Sequence, residues 1–228
     1  MAQINANRVG TGTSGNTTPF AKARETGSAV VDGPTGNDSF AVRYFRSSGR
    51  GSTIHNFNRT YIHFDTSQIT GSIETAFIDI QGRTNTSADV IIISSSAFGG
   101  DGGTALSLGD FYDSLDYSTP YSSEVTTWTI GPPANVITLN QSARDYISSS
   151  ANFGVAVIEY DYDYLDTDPG ADTSPTAGIA FGTTIILRYT EASAGPANVK
   201  KVNSVGSQDI SKWNGVSWAD ITSLNSIT

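Results

Sequence analysis

The densest collection of side chains that could do chemistry is Glu159-Tyr-Asp-Tyr-Asp-Tyr-Leu-Asp-Thr-Asp-Pro-Gly-Ala-Asp172. Asp161, Asp163, Asp166, Asp168 and Asp172 offer the hard oxygen ligands that Ca2+ prefers. The spacing departs from an EF-hand loop, because the glycine and the closing glutamate are missing from their required places. Aspartate alternating with tyrosine also suits the solvent side of an edge strand, where charge discourages aggregation. That is the preferred reading of the stretch. Ca2+ on Asp161, Asp163, Asp166 and Asp168 is the one cofactor left open. The tyrosines Tyr112, Tyr117, Tyr121, Tyr160, Tyr162 and Tyr164 would suit a sugar platform, since tyrosine stacks and hydrogen-bonds at once. They equally suit subunit contacts, where tyrosine is enriched.

Other chemistry finds less. His63 and Asp65 lie on one face of one strand, and no G-x-S-x-G elbow supplies a nucleophile for a Ser-His-Asp triad. No pair of carboxylates is singled out for glycoside hydrolysis. There is no P-loop and no dinucleotide fingerprint, and Gly99-Gly-Asp-Gly-Gly103 reads as a turn. With no cysteine and two histidines, thiolate and multi-histidine metal sites are excluded. The expectation is a protein that is not an enzyme.

The elements that would position these residues are mostly strands. The organising stretch is Arg59-Thr-Tyr-Ile-His-Phe-Asp-Thr-Ser-Gln-Ile69. Thr60, Ile62 and Phe64 alternate with Tyr61, His63 and Asp65, an apolar face against a mixed one, which predicts a half-buried strand. Asp65, Thr66 and Ser67 end it by offering oxygens to nearby N–H groups. Further strands are predicted at Ser39–Arg46, Thr75–Ile80, Asp89–Ser94, Glu124–Ile130, Val136–Leu139, Gly154–Tyr160 and Thr183–Tyr189. Arg46 to Ser52 reads as a loop. Asn140–Ser149 is the best helix candidate, with Leu139, Ala143, Tyr146 and Ile147 on one face and Asn140 or Ser142 as N-cap; Leu106 to Leu115 reads as a short helix or a loop. Together these predict an antiparallel two-sheet sandwich over residues 37–192.

Two flanking segments complete the chain. Residues 1–36 are polar and glycine-rich and read as an extended arm, either disordered or ordered on a neighbouring subunit. Residues 193–228 open with a linker and then repeat with a period of 11 residues. Val199, Ile210 and Ile221 correspond, as do Val202, Trp213 and Leu224, and Val205, Val216 and Ile227. Asn214-Gly215 is a two-residue hairpin turn, which pairs Trp213 with Val216 and Ser211 with Trp218. So few repeats bury little alone. Trp213, Val216, Trp218, Ile210 and Leu224 are therefore the expected assembly interface.

The order of the body segments carries a resemblance. Arg59…Ile69 is followed by Ile73-Glu-Thr-Ala-Phe-Ile-Asp-Ile80, Ile137-Thr-Leu-Asn-Gln-Ser-Ala-Arg-Asp-Tyr-Ile147, Asn152-Phe-Gly-Val-Ala-Val-Ile158 and Thr184-Ile-Ile-Leu-Arg-Tyr189. This resembles the jelly-roll modules called DNRLRE domains, related to a family of carbohydrate-binding modules, over residues 38–190. Tyr146 and Ile147 stand where those modules carry a tryptophan. The resemblance implies a jelly-roll sandwich, and sugar binding at Tyr112, Tyr117, Tyr121 and Tyr162 is the alternative function it suggests; a fold alone does not fix function. Ile210-Ser-Lys-Trp-Asn-Gly-Val216 resembles the I-x-K-x-N-G-V repeats that end many tailed-bacteriophage structural proteins. That implies a virion component, a capsid decoration or tail protein, partnered by copies of itself and other virion proteins as a homo-oligomer.

Charge and hydropathy bound the rest. The 228 residues carry 22 acidic against 13 basic groups, a net −9, so nucleic acid is a poor partner. No apolar run nears the ~20 residues that span a bilayer, and the start lacks the pattern of a signal peptide. No membrane partner is expected, and the location implied is a virion assembled in the host cytoplasm.

Overall fold

The computed structural model describes residues 1–33, 41–49, 51–180 and 183–192, and in the tail 201–202, 205–206, 212–213 and 216–217. The body is an all-β antiparallel sandwich. One continuous sheet runs in the order β1 (Ala2–Asn5), β12 (Ile186–Glu191), β6 (Ile73–Thr86), β11 (Thr176–Ile179), β4 (Ala41–Gly49), β5 (Ser52–Asp65), β10 (Asn152–Glu159), β7 (Val90–Ser95) and β8 (Leu115–Pro120). Beside this path, β2 (Arg8–Thr13) lies between β5 and β3 (Ala29–Asp32), and β9 (Gly131–Thr138) pairs with β6. The sheet folds over so that Ile78, Ile80 and Leu187 of one half share a core with Ile62, Phe64, Val155 and Val157 of the other. Alternation explains this, since every second residue of each strand faces the partner layer.

β5 differs from its expected half-burial. Ile62 and Phe64 enter the main core, but the mixed face is covered too: Phe57, Arg59, Tyr61 and His63 are all buried. A second layer lies over it, made of α1 (Phe20–Glu25), α2 (Asp110–Asp113) and the loop around Phe98 and Leu106. Its turn is as expected, with Ser67 N donating to Asp65 Oδ1 at 3.0 Å. The segment from Arg46 to Ser52 is no loop: β4 continues to Gly49 and pairs Gly49 with Ser52 across the hairpin.

The N-terminal segment is extended, but it pairs within its own chain. β1 runs beside β12, and β2 follows β5 from Arg8↔His63 to Thr13↔Asn58. It belongs to the body. The expected helix forms as α3 (Gln141–Ser149), capped by Asn140 Oδ1, which accepts from Ala143 N at 3.1 Å. Ala143 and Ile147 are buried there; Tyr146 is 43% exposed and only edges against Tyr121 and Phe153. α2 lies within Leu106 to Leu115, where the sequence predicts a short helix or a loop, while α1 and a π-helical turn at Tyr160–Tyr164 add two short helical pieces that no periodicity announces; packing holds segments too short to be helical alone. Glu124–Ile130 is no regular strand: its ladder pairing among the described residues is two isolated bridges, Val90↔Val125 and Gly82↔Ile130. No helix among the described residues is long and apolar enough to cross a membrane.

In the tail, β13 (Lys201–Val202) pairs with β14 (Val205–Gly206), and β15 (Lys212–Trp213) with β16 (Val216–Ser217). The second hairpin repeats the first at an offset of 11 residues and in the same register.

Candidate functional site

The strongest polar arrangement in the body is built on Arg59, which is fully buried. β5 aims it at the second layer, with Phe111 4.2 Å beneath its guanidinium. Nε donates to Asp163 Oδ2 at 2.7 Å and Nη2 to Asp163 Oδ1 at 2.8 Å, a two-pronged pair. The remaining donors reach Phe111 O at 2.6 Å and Arg24 O at 2.7 Å. One side chain thereby joins β5, α1, α2 and the 160–164 turn. Burial pulls its pKa down; the charge of Asp163, the hydrogen bonds to it and the neighbouring Tyr117 and Tyr61 together outweigh that, and the net shift is upward.

The neighbours finish the arrangement. Arg24 Nε donates to Asp163 O at 2.8 Å, and its guanidinium lies 4.2 Å over Tyr117. Tyr117 donates its hydroxyl to Asp163 Oδ1 at 3.0 Å, and Tyr61 donates to Phe111 O at 2.7 Å. Burial first, then Asp163, pushes the Tyr117 phenol up, so it stays a donor. Glu159, also fully buried, caps the turn: Oε2 accepts from Tyr162 N at 2.7 Å and Asp163 N at 3.2 Å. Its Oε1 has no partner among the described residues. Burial pushes the Glu159 carboxyl up to about 7, against the pull of those two N–H groups and with help from Asp161 and Asp163.

These placements answer the sequence expectations residue by residue. Asp161, Asp163, Asp166 and Asp168 do not gather round one point. Asp163 is consumed by Arg59, Asp166 faces Arg24 at 3.4 Å, and Asp168 faces Arg46 at 3.2 Å. The stretch is also not an edge strand, since Tyr160–Tyr164 coils into a turn that buries Asp163. Asp161 instead joins Asp89 and Glu124, whose ligand atoms all lie within 4.8 Å of one another. Glu124 is exposed and the other two are half-buried. Burial raises Asp161, then Asp89 does.

The four tyrosines of the sugar alternative have three different settings, and only Tyr112 and Tyr117 meet. Tyr121 is buried against Phe153, and Tyr117 turns its hydroxyl inward; Tyr112 stacks loosely on Tyr117, and Tyr162 packs on Tyr44. Both histidines are buried with side-chain partners: His55 Nδ1 meets Tyr44 OH and His63 Nδ1 meets Asn7 Oδ1, each at 2.8 Å. Gly102, at φ +75°, lies against His63 where a Cβ would come within 2.7 Å of the ring. That contact explains the glycine in the turn cluster.

In the tail, Trp213 pairs with Val216 as expected. Ile210, Trp218 and Leu224 lie outside the described residues, as do the linker and the third repeat. Sequence reasoning missed Arg59, Arg24, Glu159, Asp89 and Glu124 as partners. Arg59 carried a signal, being an arginine in register with Tyr61 and His63 on a strand bound for the interior. No local signal links Asp89 and Glu124 to Asp161, because contact between segments distant in the chain makes that cluster. Compared with known proteins, the chain matches no family and no curated protein, so geometry and sequence pattern alone carry the functional argument.

Proposed function

We propose that this chain is a non-enzymatic assembly protein of a tailed-bacteriophage-type virion, with a rigid sandwich body and a C-terminal repeat that docks it to other subunits. The observation that carries this reading is the recurrence of the tail hairpin, Lys201–Val202 with Val205–Gly206 and then Lys212–Trp213 with Val216–Ser217. Strands of two residues cannot bury a core of their own. Their apolar residues, Trp213 and Val216 here and Ile210, Trp218 and Leu224 by the repeat, need a surface supplied from elsewhere. Tryptophan often dominates such contacts. The body supports the same reading from the other side. Its buried arginines, Arg24 and Arg59, share Asp163 in the interior, which fastens four segments into one block.

The experiment compares the full chain with residues 1–194. Light scattering gives the mass of each, and a particle-incorporation assay gives the function. The expected result is a truncated protein that melts like the full chain but is monomeric and stays out of particles. A truncated protein that associates and incorporates like the full chain would overturn the proposal.

A further inference from the structure

The outer edge of β9 is open. Leu139 N donates to Ala76 O at 2.9 Å, and in that register Val136 and Thr138 turn their own N–H and C=O groups away from β6. Neither finds a backbone partner on that side among the described residues. Opposite runs the segment around Val125, which exchanges both backbone bonds with Val90, at 2.8 and 3.1 Å. By the same alternation Glu124 and Thr126 turn their backbone groups away from β7.

The two segments are pinned together at both ends. Asn140 donates from its backbone N to Tyr121 O at 2.8 Å and from Nδ2 to Pro120 O at 2.6 Å. Asn135 Oδ1 accepts from Thr129 N at 2.7 Å, and its Nδ2 donates to Thr129 O at 3.1 Å. Between the pins they part, leaving a groove of about 470 Å³ lined by Glu124, Val125, Thr126, Val136, Thr138 and Arg144 among others. Val136 is 53% exposed there. At the rim stands the Asp89–Glu124–Asp161 cluster, and no ion pair of the described residues neutralises it. The surface thus offers an unpaired strand edge, an apolar side chain and uncompensated negative charge.

A matching occupant is a very short strand with a lysine followed by an apolar residue. The tail contains that pair twice in one register, Lys201–Val202 and Lys212–Trp213. Charge agrees. Residues 193–228 hold three lysines against two aspartates, a net of +1, while the first 192 residues hold ten basic against twenty acidic groups, a net of −10. The described residues hold two tail hairpins for one such groove, so a hairpin left over from one body is free to serve another. We propose that this groove receives a tail hairpin of a second copy of the chain. Its strand pairs with the open edge of β9, and its lysine is taken by Asp89, Glu124 and Asp161. Adding a strand to a sheet edge draws affinity from the main chain, and the flanking side chains give selectivity. The inference rests on the assembly reading and names the surface it uses.

The test measures mass against concentration for the full chain, for Glu124→Lys, for Lys201→Glu/Lys212→Glu, and for the three changes combined. Melting curves check that each is folded. The expected result is self-association of the unaltered chain, weakened at least tenfold by either set of changes and largely restored when they are combined. Glu124→Lys that associates like the unaltered chain would overturn the inference, as would a combination no better than its parts. An unaltered chain that stays monomeric, with a melting temperature lowered by Lys201→Glu/Lys212→Glu, would mean that the tail occupies its own groove, and the second copy falls. If removal of residues 195–228 abolishes association while Glu124→Lys does not, the tail docks elsewhere: the assembly reading stands and this one falls. If that removal changes nothing, the assembly reading falls.

Discussion

Asp161 and Asp163 sit two residues apart in one acidic run and meet opposite fates. Asp163 is buried, gripped by Arg59 through two hydrogen bonds and by Tyr117 through a third. Asp161 is half-buried beside Asp89 and Glu124 and has like charges for company. The difference lies in what the fold brings to each side chain, because the residue type is the same. A carboxylate given a buried cation and hydrogen bonds becomes part of the frame. One left among other carboxylates becomes a negative surface waiting for a partner.

The largest effect should come from breaking the satisfied side. Asp163→Ala leaves Arg59 charged and buried without its partner, and removing one half of such a pair costs about 3–5 kcal/mol. The measurement is the urea midpoint. Arg59→Met/Asp163→Leu should recover about half of that loss. The pair's charges are then gone, but Arg24 O has lost its donor and Phe111 O keeps only the Tyr61 hydroxyl, and an unpaired buried carbonyl carries its own cost. A double variant as weak as Asp163→Ala would show that the carbonyl contacts matter more than the ion pair.

Next comes Glu159, the cap that holds Asp163 in place. Its carboxyl ionises near pH 7 in the folded protein against 4.5 as the ordinary value. The folded form therefore holds its proton more tightly than the unfolded chain. Stability from this group is fully present below pH 4.5, declines as pH rises, and is lost above about pH 7. The difference amounts to roughly 3 kcal/mol at 1.36 kcal/mol per pH unit. Glu159→Gln keeps an oxygen for Tyr162 N and Asp163 N and cannot ionise. Its stability relative to the unaltered protein should rise between pH 4.5 and 7 and then level off. The two buried histidines act the other way: burial holds both below their ordinary value, so they remove stability as pH falls below about 6.5. Comparing Glu159→Gln with the unaltered chain cancels them. A difference that is flat with pH would show Glu159 to be no more acidic when unfolded.

The smallest effect belongs to the unsatisfied side. Asp161→Asn relieves repulsion with Asp89 and Glu124 and breaks no hydrogen bond of the frame. It should raise the urea midpoint slightly at pH 7, and by less at pH 3.5, where Asp161, raised by burial and then by Asp89, has largely taken up its proton. A marked loss of stability instead would place Asp161 in the frame with Asp163.

The sequence foretold the parts whose signals are local. Ile62 and Phe64 alternate into the core, Asp65 and Ser67 make their turn, Asn140 caps α3, and Trp213 pairs with Val216 across Asn214-Gly215. What it did not foretell depends on contacts distant in the chain. Arg59 stands in register with Tyr61 and His63, but its partners on α1, α2 and the 160–164 turn come from distant parts of the chain. Tyr160–Tyr164 alternates like a strand, yet it coils because Glu159 caps it and Arg59 pulls Asp163 inward. Residues 1–33 have the composition of a free terminus, but their backbone completes the sheet beside β5 and β12. Backbone pairing is almost blind to composition, so glycine and threonine gave no warning.

The reach of Arg59 also sets a schedule for the nascent chain. Its partner Asp163 is 104 residues downstream, a delay of roughly 5–20 s at common rates of synthesis. Until then one of the most buried strands of the molecule carries a positive charge without its carboxylate partner. The body therefore locks late and all at once, when the acidic run has left the ribosome, rather than segment by segment from the N-terminus.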